Sequence, residues 1–297
     1  MTIKTIGLIG VGLMGHGIGK NVLAKGFALN VIAHRNREPV DDLVGKGAKE
    51  FKSAAEIAKA SDLVILCVTG TPQVEETVYG ANGLLSAGKS GLIVADCSTA
   101  VPDSTRKIAA DCAAKGVTFI DTPMVRTPKE AEAGKLGLMV GGDASVLKAI
   151  RPVLETFADL IVHTGAVGTA HQMKLINNFI ALGNAAVAAE GIAVAQKGNI
   201  DMNALKEIVM GGGGSSVMFG RLINVPLHDD DSHAKFAIRN ARKDLRYYTN
   251  MTEAMPVASF LGETVHQTFT LAETLGYSER YVPRIIDMMN QLNGTKK

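Results

Sequence analysis

Charge excess, paired cysteines and long apolar runs are all scarce in this sequence. Its 297 residues include 31 Lys and Arg and 29 Asp and Glu, so the chain has no large excess of one charge that would bind nucleic acid or a membrane surface. The three cysteines, Cys67, Cys97 and Cys112, have no paired spacing, which suits a reducing compartment. No apolar run reaches the roughly 18 residues of a membrane span. The apolar N-terminal stretch is interrupted by glycines and lacks the small-residue cleavage site of a signal peptide. We therefore expect a cytoplasmic protein with a small-molecule partner, and neither a nucleic acid nor a membrane.

Hydrophobic residues and glycine are plentiful, and their order predicts the architecture. The first half alternates short apolar runs with amphipathic stretches, which is typical of a parallel sheet covered by helices. After Gly165 the pattern turns helical, beginning with one long helix from Ala170 to Gly198. The sequence thus predicts an α/β domain at residues 1–163 and an all-α domain at residues 164–297. The predicted strands are Thr5–Ile9, Leu29–Ala33, Leu63–Val68, Leu92–Asp96, Thr118–Asp121, Leu136–Gly141 and Leu160–His163.

The glycines at 10, 12 and 15 follow the first predicted strand and open a helix. In that context the G-x-G-x-x-G spacing is strong evidence for dinucleotide binding. The first glycine allows a tight turn, the second lets a pyrophosphate approach the backbone, and the third lets helix and strand pack closely. The helix N-terminus adds N–H donors and a positive dipole for the phosphates. The predicted contacts with the cofactor in this turn are Gly10, Gly12, Leu13, Met14 and Gly15.

The segment after the second predicted strand indicates which dinucleotide is bound. An NAD site places a carboxylate there for the ribose 2′-OH, but this chain has His34, Arg35 and Asn36 followed by Arg37. Arg35, with Arg37 as a second candidate, can form a bidentate contact with a 2′-phosphate. We therefore expect NADP (NADPH) as the cofactor, against the alternative that these arginines are only solvated.

Six motifs, in order, resemble the β-hydroxyacid dehydrogenases, the family of 3-hydroxyisobutyrate dehydrogenase and tartronate semialdehyde reductase. The motifs are GVGLMG at 10–15, DCST at 96–99 with Pro102, DTP at 121–123, MVGG at 139–142, KLINN at 174–178 and KDL at 243–245. The resemblance implies a Rossmann-type doubly wound sheet, an all-α C-terminal domain that forms a homodimer or homotetramer, and an active site in the cleft between the domains.

Lys174 is the predicted catalytic residue. Hydride reduction of a carbonyl develops negative charge on oxygen, and an ammonium group can both stabilise that charge and donate the proton. Asn178 lies one helical turn further on the same face, where its amide can hold the lysine or a substrate hydroxyl, and Asn177 lies beside it. A lone helix lysine is usually solvated, but the adjoining asparagines in an apolar helix and the family resemblance favour catalysis.

Further site residues follow strand ends or match the family. Ser98 and Thr99 come after a strand, where their hydroxyl and N–H groups could reach the substrate or the nicotinamide ribose. Their alternative role is to cap the helix after Pro102. Val68 and Lys243 complete the predicted cofactor contacts, Lys243 through its resemblance to a family lysine near the cofactor. The seven histidines show no metal-ligand spacing, and we expect a structural role for His171.

Arg126 marks a departure from the family, whose members mostly have Ser-Gly-Gly where this chain has Val125-Arg126-Thr127. In those members the serine and glycine amides bind the substrate carboxylate. Loss of glycine predicts loss of positive-φ freedom and therefore of amide capture, while the guanidinium offers a full charge and a planar donor fork. We expect an anionic group near Arg126, with Thr127 beside it.

The anion could be a carboxylate, a sulfonate or a phosphonate. Sulfolactaldehyde reductases carry a similar Gly-Arg-Thr and a similar KLINN segment, although Val125 replaces their glycine and Asn240 stands where an apolar residue usually precedes Lys-Asp-Leu. Asn240 joins the predicted substrate contacts. In the alternative, Arg126 pairs only with Glu130, Glu132 or a cofactor phosphate.

The sequence therefore predicts an NADPH-dependent oxidoreductase that interconverts a small anionic aldehyde or ketone and its hydroxy form. Two other functions stay open. An imine reductase has the same architecture but usually carries Asp or Tyr where this chain has Lys174. A catalytically silent NADP-binding protein would leave the Lys174 and Asn178 pair unexplained.

Overall fold

The computed structural model describes residues 3–34 and 36–295, and the chain forms two compact units, residues 1–174 and 175–297. The first unit contains a mixed, mostly parallel sheet with helices, and the second contains helices. The α/β class with an all-α C-terminal part is confirmed.

The described sheet of the first unit has nine strands. Its order is β3-β2-β1-β4-β5-β6-β8-β7, with β9 paired to β8. The pairings from β3 to β6 are parallel, while β6 and β7 pair with β8 in the antiparallel sense. The strands are β1 Thr5–Ile9, β2 Ala28–Ile32, β3 Lys49–Phe51, β4 Leu63–Leu66, β5 Ile93–Asp96, β6 Thr118–Asp121, β7 Met124–Val125, β8 Leu136–Gly141 and β9 Ala158–Gly165.

Both faces of the sheet are buried at its central strands β4 and β5, as expected of parallel strands covered by helices. Strand β4 shows the arrangement: Leu63 and Ile65 enter one hydrophobic cluster, while Val64 and Leu66 enter another. Successive side chains of a strand point to opposite faces, so the unbroken apolar run of β4 fills two cores. The covering helices of the first unit are α1 Gly15–Ala24, α2 Glu38–Gly45, α3 Ala54–Ala60, α4 Thr71–Tyr79, α5 Pro102–Ala113, α6 Pro128–Glu132 and α7 Ala144–Leu154.

The chain reverses its direction of strand addition next to β1. Strands β2 and β3 are added on one side of β1, and β4, β5 and β6 follow on the other. In a doubly wound sheet such a reversal leaves a crevice at the carboxyl ends of the strands, where ligands bind. The turn after β1 with its three glycines stands at this reversal.

Two strands escaped the sequence prediction, and their composition explains it. Lys49–Phe51 is a three-residue edge strand with two exposed charged residues, and Met124–Val125 has two residues. Neither contains an apolar run. The predicted cap at Ser53 is confirmed, because its side chain accepts from the Glu56 N–H at 3.2 Å.

Helices make up the second unit, and α8 is the longest. It begins at Thr169 in the first unit and continues to Lys197, close to the predicted Ala170–Gly198. The core of the second unit forms around buried residues of α8 such as Ala185, Ala189 and Ile192. The remaining helices are α9 Met202–Gly211, α10 Val217–Leu222, α11 Asn224–His228, α12 Ile238–Ala254, α13 Phe260–Ala272 and α14 Ile285–Leu292.

Helix α8 is long and apolar enough to cross a membrane by length and composition, although the sequence predicted no apolar run of that length. Half of its most apolar stretch is buried inside the protein. A core helix of a soluble protein has the same properties, so this helix is weak evidence for a membrane span.

Candidate active site

The turn between β1 and α1 has the backbone geometry that a dinucleotide site requires. Gly10 has a φ of 102°, and a Cβ there would lie 2.2 Å from the Cys67 carbonyl oxygen. A Cβ on Gly15 would lie 2.0 Å from the carbonyl oxygen of Gly10, whereas one on Gly12 would meet nothing within 4 Å. The first and third glycines are thus needed for the fold, and the second leaves the backbone open to a ligand. This turn fits a dinucleotide pyrophosphate.

The beginning of α1 completes this surface. Met14 occupies the N-cap position and makes no side-chain hydrogen bond to the first turn. The first-turn N–H groups therefore have no side-chain cap, which leaves them suited to a phosphate. Leu13 is 65% exposed beside them.

The segment after β2 lacks a carboxylate, as the sequence indicated. His34 and Asn36 are exposed, and the Asn36 side chain accepts from the Glu38 N–H at 3.2 Å. Arg35, the favoured 2′-phosphate ligand, lies outside the described residues. Arg37, the second candidate, is instead engaged with Glu50 and Asp41 at 2.9 and 3.0 Å.

Ser98, a predicted substrate contact, also makes hydrogen bonds that connect two loops of the sheet. It is buried, its Oγ accepts from the Val68 N–H at 3.0 Å, and its own N–H donates to Asp96 Oδ1 at 2.9 Å. The hydroxyl therefore joins the loops that follow β4 and β5. Ser98 does not cap α5, whose N-cap is Val101, and Thr99 is half-buried next to it.

The start of α8 is fastened to the carboxyl edge of the sheet by Asp121, the last residue of β6. Its two carboxylate oxygens accept from the N–H groups of Gly168 and His171, each at 2.8 Å. Lys174 follows one turn later and is half-buried. The aspartate of the DTP motif thus fixes the helical turn that precedes the predicted catalytic Lys174. The spacing of the sequence motifs did not predict this role.

A second buried carboxylate organises the predicted residues of the second unit. Asn178 donates its amide to Asp244 Oδ2 at 2.6 Å, and the Lys243 ammonium lies 2.8 Å from Asp244 Oδ1. Asn177 is exposed and donates to Asn178 Oδ1 at 3.2 Å. The Asn178 side-chain N–H group is thus paired with Asp244. That its amide holds Lys174 or a substrate hydroxyl stays a prediction.

The sequence did not predict a role for Asp244, because its burial, at 3% exposed, results from packing that a helical pattern does not reveal. A carboxylate buried to this extent requires polar partners. Lys243 also lies over the Tyr247 ring at 4.9 Å from its centroid. Asn240 is half-buried in the first turn of the same helix, one turn before Lys243 and Asp244.

Arg126 keeps the backbone conformation that its replacement of glycine was expected to remove. Its φ is 83°, in the left-handed region that costs a non-glycine residue about 1–2 kcal/mol. The prediction that positive φ is lost in this loop is therefore wrong. The fold therefore holds Arg126 in a left-handed conformation that a non-glycine residue disfavours.

The alternative role predicted for Arg126 was pairing with Glu130, Glu132 or a cofactor phosphate, but its guanidinium has other partners. It lies 2.5 Å from Asp159 Oδ1 and also donates to the Lys135 carbonyl oxygen. Both Arg126 and Asp159 are at least a third exposed, and such pairs contribute about 0–1 kcal/mol. An incoming anion could therefore compete with Asp159.

Thr127 begins α6 with a capping box. Its N–H donates to the Glu130 carboxylate at 2.9 Å, and its hydroxyl donates to the same oxygen. The Oε2 atom of Glu130 thus accepts both hydrogen bonds from Thr127. The side chain predicted to bind substrate has a structural partner here.

His16 connects the cofactor turn with the segment after Thr127. Its Nδ1 lies 2.6 Å from Glu132 and its Nε2 lies 2.7 Å from Asp42. A neutral imidazole donates only one proton, so satisfying both carboxylates requires the imidazolium. Burial alone would lower the pKa of His16, but the hydrogen bonds and charges of Glu132 and Asp42 outweigh it and raise the pKa above its usual value.

The His16 contacts should stabilise the fold at low pH and lose this effect as the pH rises. A folded-state pKa above the unfolded value gives stabilisation that is complete below the unfolded pKa of about 6.5 and is lost through the raised pKa. Urea denaturation measures the free energy of unfolding of wild type and of His16→Gln. The amount by which wild type exceeds the variant should decrease between pH 6 and pH 9. The control is Asn21→Ala, which removes uncharged hydrogen bonds to Ala131 and Gly17 near the same helices. A difference for His16→Gln as flat as that of Asn21→Ala would contradict the assignment.

Comparison with known proteins agrees with this geometry. Residues 5–165 match the NAD-binding domain of 6-phosphogluconate dehydrogenase, and residues 168–288 match the NAD-binding domain of NADP-dependent 3-hydroxyisobutyrate dehydrogenase. The chain is 31% identical to 3-hydroxyisobutyrate dehydrogenase of Pseudomonas aeruginosa, covering 90% of this chain and 91% of that one. It is 28% identical to 3-sulfolactaldehyde reductase of Escherichia coli, covering 92% of both.

A solved structure, Psf3 in complex with NADP+ and 2-OPP, has the same fold. It superposes with a TM-score of 0.86 at 24% identity, covering 96% of this chain and 99% of that one. The glycine turn at the sheet reversal, the helical second half and the matches across nearly the whole chain lead to one assignment. The protein belongs to the 3-hydroxyisobutyrate dehydrogenase family of β-hydroxyacid dehydrogenases and is an NAD(P)-dependent oxidoreductase of that family.

Proposed function

We propose that the protein is an NADPH-dependent reductase of a small anionic aldehyde or ketone. The observation that carries the proposal is the arrangement at the carboxyl edge of one sheet. The dinucleotide turn follows β1, the loop of Ser98 follows β5, and Asp121 at the end of β6 holds the first turns of α8, which lead to Lys174. Cofactor and proton donor would thus meet at one edge.

The chain's own chemistry would be proton transfer from Lys174 Nζ to the carbonyl oxygen of the substrate. Bound NADPH would supply the hydride. The ammonium group stabilises the negative charge that develops on that oxygen, and its proton completes the alcohol. Asn178, oriented through Asp244, presents its carbonyl oxygen on the side of Asn177, where it could accept a hydrogen bond from a substrate hydroxyl or amine.

The choice of NADP rests on the segment after β2. No carboxylate stands there to bind a ribose 2′-OH, and two arginines are present in the sequence. Because Arg37 is engaged with Glu50 and Asp41, Arg35 is the guanidinium we assign to the 2′-phosphate. The Psf3 structure with NADP+ supports this choice.

Arg35→Ala should raise the Kd for NADPH by roughly tenfold or more, since a charge-assisted contact contributes about 1.5–3 kcal/mol. The Kd for NADH should hardly change, because NADH has no 2′-phosphate. Fluorescence titration of both dinucleotides measures the ratio, and Arg37→Ala is the matched control. Equal effects of the two variants on NADPH, or a wild-type preference for NADH, would contradict the assignment.

The substrate anion is assigned to the loop of Arg126 and Thr127. The loop combines a left-handed backbone with a guanidinium whose exposed partner, Asp159, can be displaced. A planar fork and a full charge suit a sulfonate or phosphonate as well as a carboxylate. Similarity to 3-sulfolactaldehyde reductase of E. coli supports a sulfonate-like group.

Two variants separate the guanidinium from the backbone. Arg126→Gly and Arg126→Ala both remove the charge, but only glycine accepts the left-handed conformation without strain. Initial rates of NADPH oxidation are compared for oxo compounds that differ only in a carboxylate, sulfonate or phosphonate end. We expect both variants to lower kcat/KM for the preferred anion by about 10- to 100-fold, equivalent to the loss of one charge-assisted hydrogen bond.

The control for this experiment is Lys129→Ala, which removes an exposed positive charge from the same segment. It should leave the order of preference unchanged. If Arg126→Gly retains the wild-type preference, the guanidinium only pairs with Asp159 and the backbone is what binds the anion. If the wild type turns over none of these compounds with NADPH, the proposed activity itself is wrong.

We further propose a cytoplasmic homodimer or homotetramer in which residues 1–163 bind the dinucleotide and residues 164–297 provide the assembly surface. Apolar side chains at helical spacing are exposed along α8 in the isolated chain, namely Ile176, Ile180, Val187 and Val194. Light scattering at micromolar concentration tests the assembly, and a monomer would contradict it.

A further inference from the structure

A cluster of ionisable and polar side chains is buried beneath the first turn of α8. Asp96, Asp121, Thr105 and His171 are each no more than 1% exposed. Two carboxylates and an imidazole in a fully buried place destabilise a fold unless each finds partners. Such a cluster is costly to keep, and it lies directly before the turn that carries Lys174.

Each partner of His171 fixes a different part of α8. The backbone N–H is held by Asp121 at 2.8 Å. The ring Nδ1 lies 2.7 Å from the Thr105 hydroxyl on α5, and Nε2 lies 3.2 Å from the Ser98 carbonyl oxygen. One residue therefore ties the helix start to β6, to α5 and to the loop after β5.

The ring contacts define the tautomer. A carbonyl oxygen can only accept, so Nε2 carries a proton toward Ser98. The Thr105 hydroxyl can donate to Nδ1, or it can donate to the Val101 carbonyl oxygen at 3.2 Å and accept from Nδ1. The same atoms thus satisfy both the neutral and the protonated imidazole without a change of rotamer.

Asp96 faces the same ring. Its Oδ2 has no hydrogen-bond partner among the described residues and lies 3.9 Å from His171 Nε2. Burial raises the pKa of Asp96, while the charge of His171 and hydrogen bonds from Ser98 act in the opposite direction. The ionisable groups in contact with His171 are Asp96, which faces the ring, and Asp121, which accepts from the backbone N–H.

We propose that His171 and Thr105 are positioning residues that fix the first turn of α8 and thereby place Lys174 for proton transfer. The inference rests on the proposed function of Lys174. Lys174 lies three residues after His171 on the same face of the helix, so a shift of the His171 turn moves Nζ with it. A displacement of about 1 Å at a reacting group can cost about 100-fold in rate.

The test compares Thr105→Val, which removes the hydroxyl but keeps the shape, with Thr105→Ser, which keeps the hydroxyl. We expect Thr105→Val to lower kcat by about tenfold while the Kd for NADPH stays within twofold, and Thr105→Ser to restore most of kcat. The matched control is Thr156→Val, which removes another buried hydroxyl, one that donates to the local Val153 carbonyl oxygen at 2.7 Å. It should lower stability without lowering kcat.

A second readout does not depend on turnover. Reductive methylation with ¹³C-formaldehyde labels the lysines, and the dimethylammonium signal of Lys174 is followed by NMR with pH. In Thr105→Val this signal should shift or broaden, while that of the exposed Lys129 stays unchanged. His171→Gln, with its shorter reach, should affect the Lys174 signal in the same way.

An unchanged Lys174 signal together with a kcat within twofold of wild type would overturn the positioning role. A loss of kcat in Thr156→Val equal to that in Thr105→Val would also overturn it, because general destabilisation would then explain both. If the wild type reduces none of the oxo compounds but its Lys174 signal responds to Thr105→Val, positioning stands and the proposed reaction falls.

Discussion

The carboxylate of Asp121, at the end of β6, holds the N-terminus of α8 by two backbone hydrogen bonds of 2.8 Å. A helix N-terminus has unpaired N–H groups and a positive dipole, and a buried carboxylate satisfies both at once. Because β6 belongs to the parallel sheet that also carries the glycine turn, this contact fixes the start of α8 relative to the dinucleotide surface. The placement of His171 and Lys174 in the first unit depends on this contact.

The loop at Arg126 shows how a fold can keep a backbone conformation after losing the residue suited to it. Positive φ at Arg126 is imposed by its surroundings, with β7 paired to β8 on one side and the Thr127 capping box on the other. The guanidinium of Arg126 is therefore carried by a loop whose backbone is left-handed at this position.

Each unit has its own buried carboxylates, and these bind the polar groups of the predicted site residues. Asp96 and Asp121 lie beneath Ser98 and His171 in the first unit, and Asp244 lies between Asn178 and Lys243 in the second. Each one orients neighbouring polar groups that the sequence had singled out. The predicted site residues are thus supported by carboxylates that make no prominent signal of their own.

The sequence predicted those features that follow from local patterns. Strands β1, β6 and β8 begin and end as expected because each is an apolar run next to glycine or polar residues. The glycine turn is explained in the same way, since Gly10 and Gly15 are required by contacts within a few residues or with the adjoining strand. The family and the fold class followed from these motifs.

What depended on distant contacts could not be predicted. Arg126 pairs with Asp159, which lies 33 residues away on β9, and not with the nearby Glu130 or Glu132. Asn178 pairs with Asp244 across 66 residues, and His171 meets Thr105 across the same separation. Periodicity and spacing do not report such partners, because they are brought together only by the packing of the sheet and helices.

Proton delivery in the proposed reduction by NADPH is assigned to Lys174, in the first turns of α8. Single-turnover oxidation of NADPH, mixed rapidly with the preferred oxo compound, measures this step in wild type and in Lys174→Gln. We expect the variant to bind NADPH as tightly as wild type but to transfer hydride about 100-fold or more slowly, because it lacks the general acid. A rate within a few-fold of wild type would contradict the claim.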